Sequence, residues 1–314
     1  MTMKTQNSDA KRNLLHSNAN HYPSDASLLA MPPRFLGGFF SCGEFMNTFR
    51  NLIILIVAVI SVGCASGPDA PAYPAFVISD ELPDLFLASL PGVRAKEYAG
   101  DMRSRTVSNR IELPTGWSGT SGGSPGKALE IFVLSGQLSL ADVELTDGGY
   151  VFIPPGSLGF NLSSDDGAVV LWFLSDMDAA AAIRSPLILD SNLVDWQATD
   201  RIGVFNKILR SDPGSGERSW LMRYETDAVI PWQSSSASLE GYLMSGQFQQ
   251  TECVNGLPYT DIYFPGGYFK RPADTVYGGP EAAALEESVW FLREQHAATI
   301  SDNVVCEPVE ADKE

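Results

Sequence analysis

One phrase is written twice in this chain. Residues 148–160 read GGYVFIPPGSLGF, and residues 266–280 read GGYFKRPADTVYGGP. The match continues on both sides. LEIFVLSGQL at 129–138 answers LEGYLMSGQF at 239–248, and VLWFL at 170–174 answers SVWFL at 288–292. Upstream, Arg110, Ile111 and Glu112 with Pro114 and Trp117 echo Arg223, Tyr224 and Glu225 with Pro231 and Trp232. A repeat of about 110–120 residues is longer than a solenoid unit and marks a duplicated domain. The fold must therefore be one that a single short unit can build alone and then build again.

Within each unit, short apolar runs rich in β-branched and aromatic residues are broken by Gly, Pro and Asp clusters. That pattern predicts an all-β barrel or sandwich. The Gly pair before each aromatic run suits a tight turn that needs a positive φ. Pro154 and Pro272 are placed to end the strand that follows. Helices are expected only at 176–183 and 281–287. The spacing places a first barrel at 76–183, a second at 184–295 and an acidic C-terminal tail at 296–314.

The N-terminal part reads differently. From Met46 the chain runs MNTFRNLIILIVAVISVGCASGP. A short basic lead, an apolar run at 52–60 and small residues before Cys64 predict a secretory signal at 46–63, too short to span a bilayer stably. Its ending resembles the bacterial lipoprotein signal. The resemblance implies lipidation of Cys64, a Pro/Ala/Gly tether at 64–75, and a periplasm-facing protein on the outer membrane, since Ala65 rather than Asp follows the cysteine. Residues 1–45 lack periodicity and are expected to be an upstream extension ahead of a true start at Met46.

Charge narrows the function. The 314-residue chain carries a formal −17, and removing five basic and three acidic residues upstream of Cys64 takes it to −19. Such a chain is poorly suited to nucleic acid or to electrostatic docking on anionic lipid, so its expected contact with membrane is the N-terminal lipid only. Beyond Cys64 only His296, Cys253 and Cys306 remain of their kinds. One histidine excludes a His cluster, and its place after the last strand argues against a Ser-His-Asp triad. Cys253 and Cys306 are either a disulfide or two buried thiols.

An acidic-apolar strand closed by Gly, followed by G-x-Y-x-x-x-P-x-G, resembles the cupin jelly-roll barrel, here written twice as a bicupin. The second half, with Gly203, Val204, Phe205, Asn206 and Lys207 and the phrase at 266–280, is similar to an uncharacterised bacterial cupin group. That group is related to the cupin sensor domain of zinc-binding anti-sigma factors. Catalytic cupins hold one metal through His-x-His, a Glu seven residues before the closing Gly, and a later His. The resemblance carries these places onto Gly123, Pro125, Leu129 and Gly159 in the first copy, and onto Gln233, Ser235, Leu239 and Tyr277 in the second. Such a set does not suit a transition metal, so no metal and no cofactor is expected. Glu130 and Glu240 are carboxylates one residue off the ligand place, which in a strand turns them to the opposite face.

An emptied barrel still has a concave mouth for a small ligand, a sugar or a carboxylate. The second barrel offers Trp232, Gln233, Tyr242, Arg271, Asp274, Tyr277 and Trp290 to line it. The plainer reading of these residues packs Trp232, Tyr242 and Trp290 in a core and pairs Arg271 with Asp274 at the surface. The leading expectation is a metal-free binding or sensing module. One alternative is a metal-independent lyase or isomerase, with Tyr277 as acid/base and Arg271 steadying an anion. Another is an interaction protein with filled barrels. The resemblance also implies association through edge strands into a homodimer.

Overall fold

Along the longest strand, side chains alternate between two apolar environments, and this alternation sets the architecture. In Lys127–Gly136, Leu129, Ile131 and Val133 enter one core with Val151, Leu162 and Trp172. Ala128 and Phe132 point the other way, into a second core shared with Leu221, Tyr242, Tyr268 and Phe291. The strand Leu239–Ser245 repeats the pattern. Leu239 and Leu243 pack with Trp220, Phe269 and Trp290, while Tyr242 joins the shared core. Two barrels therefore stand back to back with a largely apolar layer between them, built from β-strands.

The computed structural model describes residues 76–307, apart from 102, 122–125, 158, 227 and 303. The signal at 46–63, Cys64 and the tether lie outside the described residues, as do Gly123 and Pro125. In the first barrel a six-stranded sheet runs Leu187–Asp190, Gly149–Ile153, Lys127–Gly136, Ala168–Asp176, Thr106–Leu113, Arg94–Asp101. It closes against Trp117–Ser121, Phe160–Ser164, Leu138–Leu140 and Val143–Leu145. In the second barrel the large sheet runs Val77–Ile78, Gly267–Arg271, Leu239–Ser245, Ser288–Glu294, Arg218–Tyr224, Val204–Ser211, Gln197–Ala198. The facing sheet is built on Phe248–Val254, with Leu257–Tyr263, Val276–Tyr277, Gln233–Ser235 and Ile300–Ser301.

The repeats exchange their first strands. Val77 and Ile78 pair with Tyr268 and Gly267 of the second barrel, and Leu189 and Asp190 pair with Tyr150 and Gly149 of the first. The segment 187–190, which the spacing places in the second barrel, thus completes the sheet of the first. The duplicated Gly pair explains the junction. Gly148 and Gly266 have φ of 88° and 93°, and their carbonyls accept from the amides of Ser191 and Ser79. A Cβ on Gly148 would come within 2.8 Å of Ser191.

Two expectations about local structure are corrected. Among the described residues there is no α-helix. At 176–183 the amides of Ala182 and Ile183 bond to the Asp212 carboxylate at 2.8–3.0 Å, so they do not close helical turns. At 281–287, Ala284 pairs with Phe248 and Ala283 with Gln249. Both runs are too short to hold a helix without tertiary support. The described part of the predicted tail is also bound: Ile300 and Ser301 pair with Ser235 and Ser234, and Cys306 forms a disulfide with Cys253.

A buried ionic network crosses the layer between the barrels. Glu130 and Glu240, equivalent in the repeat, share Arg293, whose Nε lies 3.2 Å from Glu130 and whose Nη1 lies 3.5 Å from Glu240. Tyr150 donates to Glu130 (2.7 Å), Ser108 donates to Glu240 (2.8 Å), and Lys270 stands 3.2 Å from Glu240. Both glutamates thus face away from the barrel interiors, as period two requires. Burial works to raise both carboxyls, but Arg293 with Arg210 at Glu130, and Arg293 with Lys270 at Glu240, outweigh it and hold both low.

Candidate functional site

The interiors of the two barrels differ. Among the described residues the first gathers a mainly aliphatic cluster, with Leu129, at the ligand place, packed among Ile111, Leu113, Ile153 and Trp172. The second keeps a cavity of about 390 Å³. Strand periodicity builds most of its wall. Arg218, Trp220, Met222 and Tyr224 alternate along one strand, and Trp290, Leu292 and Glu294 along its neighbour, and all line the cavity. Gln233, Leu239, Arg271 and Tyr277 reach it from other strands.

Of the seven residues expected to bind ligand, the structure brings Gln233, Arg271, Tyr277 and Trp290 together and leaves three elsewhere. Tyr242 faces the opposite way, into the layer between barrels, 6.0 Å from Tyr98. Trp232 is half-buried over Gly279, where an added Cβ would fall 2.2 Å from its ring. Asp274 is an exposed turn residue with φ 63°, its amide bonded to the Ser235 carbonyl. His296 is exposed, 3.4 Å from Asp178.

Arg271 does not pair with Asp274. Its guanidinium is buried, forked onto Glu252 (Nε–Oε2 3.0 Å, Nη2–Oε1 2.5 Å) and sandwiched between the rings of Phe269 at 4.2 Å and Tyr277 at 3.6 Å. Planar stacking and a two-pronged ion pair both suit guanidinium better than ammonium. Two further pairs were not foreseen: Arg218 with Glu294 (2.6 Å), lying over Trp220, and Arg201 with Asp302 (2.6 Å). Alternation around Trp290 and Trp220 could have disclosed the Arg218 and Glu294 positions. Glu252 lies in the insertion TECVNGLPYTD, which has no counterpart in the first copy, so no repeat signal marked it.

Burial sets the state of the hydroxyls. It raises the Tyr277 phenol above its ordinary value, with Arg271 opposing, and pushes Tyr224 up to about 12. Both are therefore neutral donors at physiological pH. Trp290 is buried, and its Nε1–H has no hydrogen-bond partner in the structure.

Comparison with known proteins agrees with this architecture. The family model for a domain of unknown function, DUF4437, matches residues 92–300. The chain is similar in structure to the Escherichia coli protein YlbA of the DUF861 model (TM-score 0.55, 15% identity, covering 70% of this chain and 90% of that one). It is likewise similar to a Bacillus subtilis oxalate decarboxylase variant (TM-score 0.54, 12% identity, covering 75% and 81%). Both share the cupin jelly roll, and at these identities the likeness speaks to fold alone. No curated protein matches the chain.

Proposed function

The chain belongs to the DUF4437 family, a domain of unknown function with the cupin fold, and from that premise we propose a metal-free module that binds a small molecule in its second barrel. One observation carries the reading. Among the described residues, the second barrel keeps a polar-and-aromatic cavity of about 390 Å³, whereas those gathered inside the first are an almost wholly apolar cluster. This size falls within the range of small-molecule sites, about 300–1,000 Å³.

The lining does not suit a transition metal. The residues at the ligand places are an amide, an alcohol, an alkyl group and a neutral phenol (Gln233, Ser235, Leu239, Tyr277). The fixed positive charge of Arg271 stands against the phenol ring. Those four places supply no anionic ligand, and two carboxylates of the lining, Glu294 and Asp302, are already paired with Arg218 and Arg201. Tyr277 as general base is disfavoured too, because burial moves its pKa in the wrong direction.

The test is a ligand-observed NMR screen of small polar compounds on the chain from residue 65 onward, paired with elemental analysis. Saturable binding that weakens in Tyr277→Phe and Gln233→Leu is expected, with transition metal well below one equivalent. A stoichiometric metal, or a cavity that accepts no compound, would overturn the reading. The signal-like segment supports delivery to the periplasm and anchoring by lipid on Cys64, and Cys64→Ser should then release the protein from membranes. The exposed Leu257, Tyr259 and Ile262 on the edge strand Leu257–Tyr263 support self-association, which light scattering measures.

A further inference from the structure

We propose that the second barrel selects a neutral, hydroxyl-rich ring compound of about monosaccharide size and discriminates against organic anions. This rests on reading the cavity as a ligand site, and it follows from how the charges there are already committed. Three arginines line the cavity, and each has a carboxylate of its own: Arg271 has Glu252, Arg218 has Glu294, Arg201 has Asp302. Asp200 lines it as well. Glu252 and Glu294 are 2% exposed, so an entering anion would lie among buried acids or have to displace one. A charge moved from water to such a place is stabilised only by a partner it does not have to share.

The neutral polar groups point the opposite way. Gln233 and Gln250 present amides that both donate and accept, as ring hydroxyls do. Tyr224 and Tyr277 add phenols that stay protonated. The Trp290 Nε1–H, buried without a partner, needs an acceptor, and a ligand oxygen would provide one. Phe248, Phe269 and Leu292 supply the apolar wall on which the C–H face of a ring can rest.

The experiment titrates D-glucose, D-galactose, D-mannose, L-arabinose and myo-inositol, and in parallel D-glucuronate and D-galacturonate, followed by tryptophan fluorescence and saturation-transfer NMR. At least one neutral ring should bind saturably, with its matched acid at least about tenfold weaker, a difference of about 1.4 kcal/mol. Trp290→Phe should weaken the neutral ligand several-fold. Gln250→Leu provides a second readout should Trp290→Phe lower stability. Acids binding as well as or better than neutral rings would overturn the proposal. If other compounds saturate the cavity and neutral rings do not, the proposal falls while the binding reading stands. If no probe of any class perturbs cavity signals, both fall.

Discussion

Arg271 and Glu252 meet with both side chains at 2–3% exposure, in a forked ion pair held away from water. Glu252→Gln keeps the shape but removes the carboxylate charge that faces the buried guanidinium, which should cost about 3–5 kcal/mol of stability in urea melts. The double change Arg271→Met with Glu252→Leu should recover most of that loss, because an apolar pair of similar volume needs no solvation. A second residue-scale expectation concerns Tyr277. Its phenol is raised above the ordinary 10.0, chiefly by burial, so it stays protonated throughout the neutral range. Ligand affinity should therefore be flat from about pH 6 to 9 in titrations, since even an unshifted phenol, half-ionised at about pH 10, stays mostly protonated there.

Short elements act here as fasteners. Ile300–Ser301 adds to the edge of Gln233–Ser235, bringing Ile300 and Asp302 to the cavity wall, and Asp302 pairs across to Arg201. The Cys253–Cys306 disulfide ties down the segment beyond, next to the strand residue Glu252 that holds Arg271. It joins residues 53 apart, a separation at which a cross-link restricts the unfolded chain substantially. Reduction, or Cys306→Ser, should lower unfolding free energy by about 2–5 kcal/mol. Hydrogen exchange should then rise first at 299–302, which is held by a short ladder, the bonds between Thr299 and Ser236, and an exposed ion pair.

At the scale of the molecule, the two barrels are one folding unit. Each donates its first strand to the other, and aromatic rings fill the shared layer, with Tyr98 stacked on Tyr268 at 4.4 Å and Phe173 on Phe291 at 5.6 Å. The Glu130–Arg293–Glu240 network sets the register of the two faces, because sliding one past the other would leave buried charges unpaired. Both carboxyls lie below the ordinary 4.5 when folded. Their contribution is therefore full above pH 4.5 and is lost progressively as pH falls below it. Urea midpoints should hold from pH 7 to 5 and drop steeply toward pH 3. In Glu240→Gln the starting stability should be lower and the acid slope shallower.

Local regularities were legible without coordinates. Period two assigned Glu130 and Glu240 to the face opposite the ligand place, and the repeated Gly pair announced a left-handed turn, because alternation and φ are fixed within a few residues. The same rule applied to Tyr242, two residues beyond Glu240, would have moved it out of the site. Gln233, Arg271, Tyr277 and Trp290 line one cavity, and each sits at a repeat-anchored place that the sequence displays. The rest depended on residues distant in sequence. Where the cavity forms, which acid answers Arg271, and which repeat each first strand completes are decided by packing between segments that no periodicity links. A sequence states which face a side chain takes; only the assembled barrels state what it meets there.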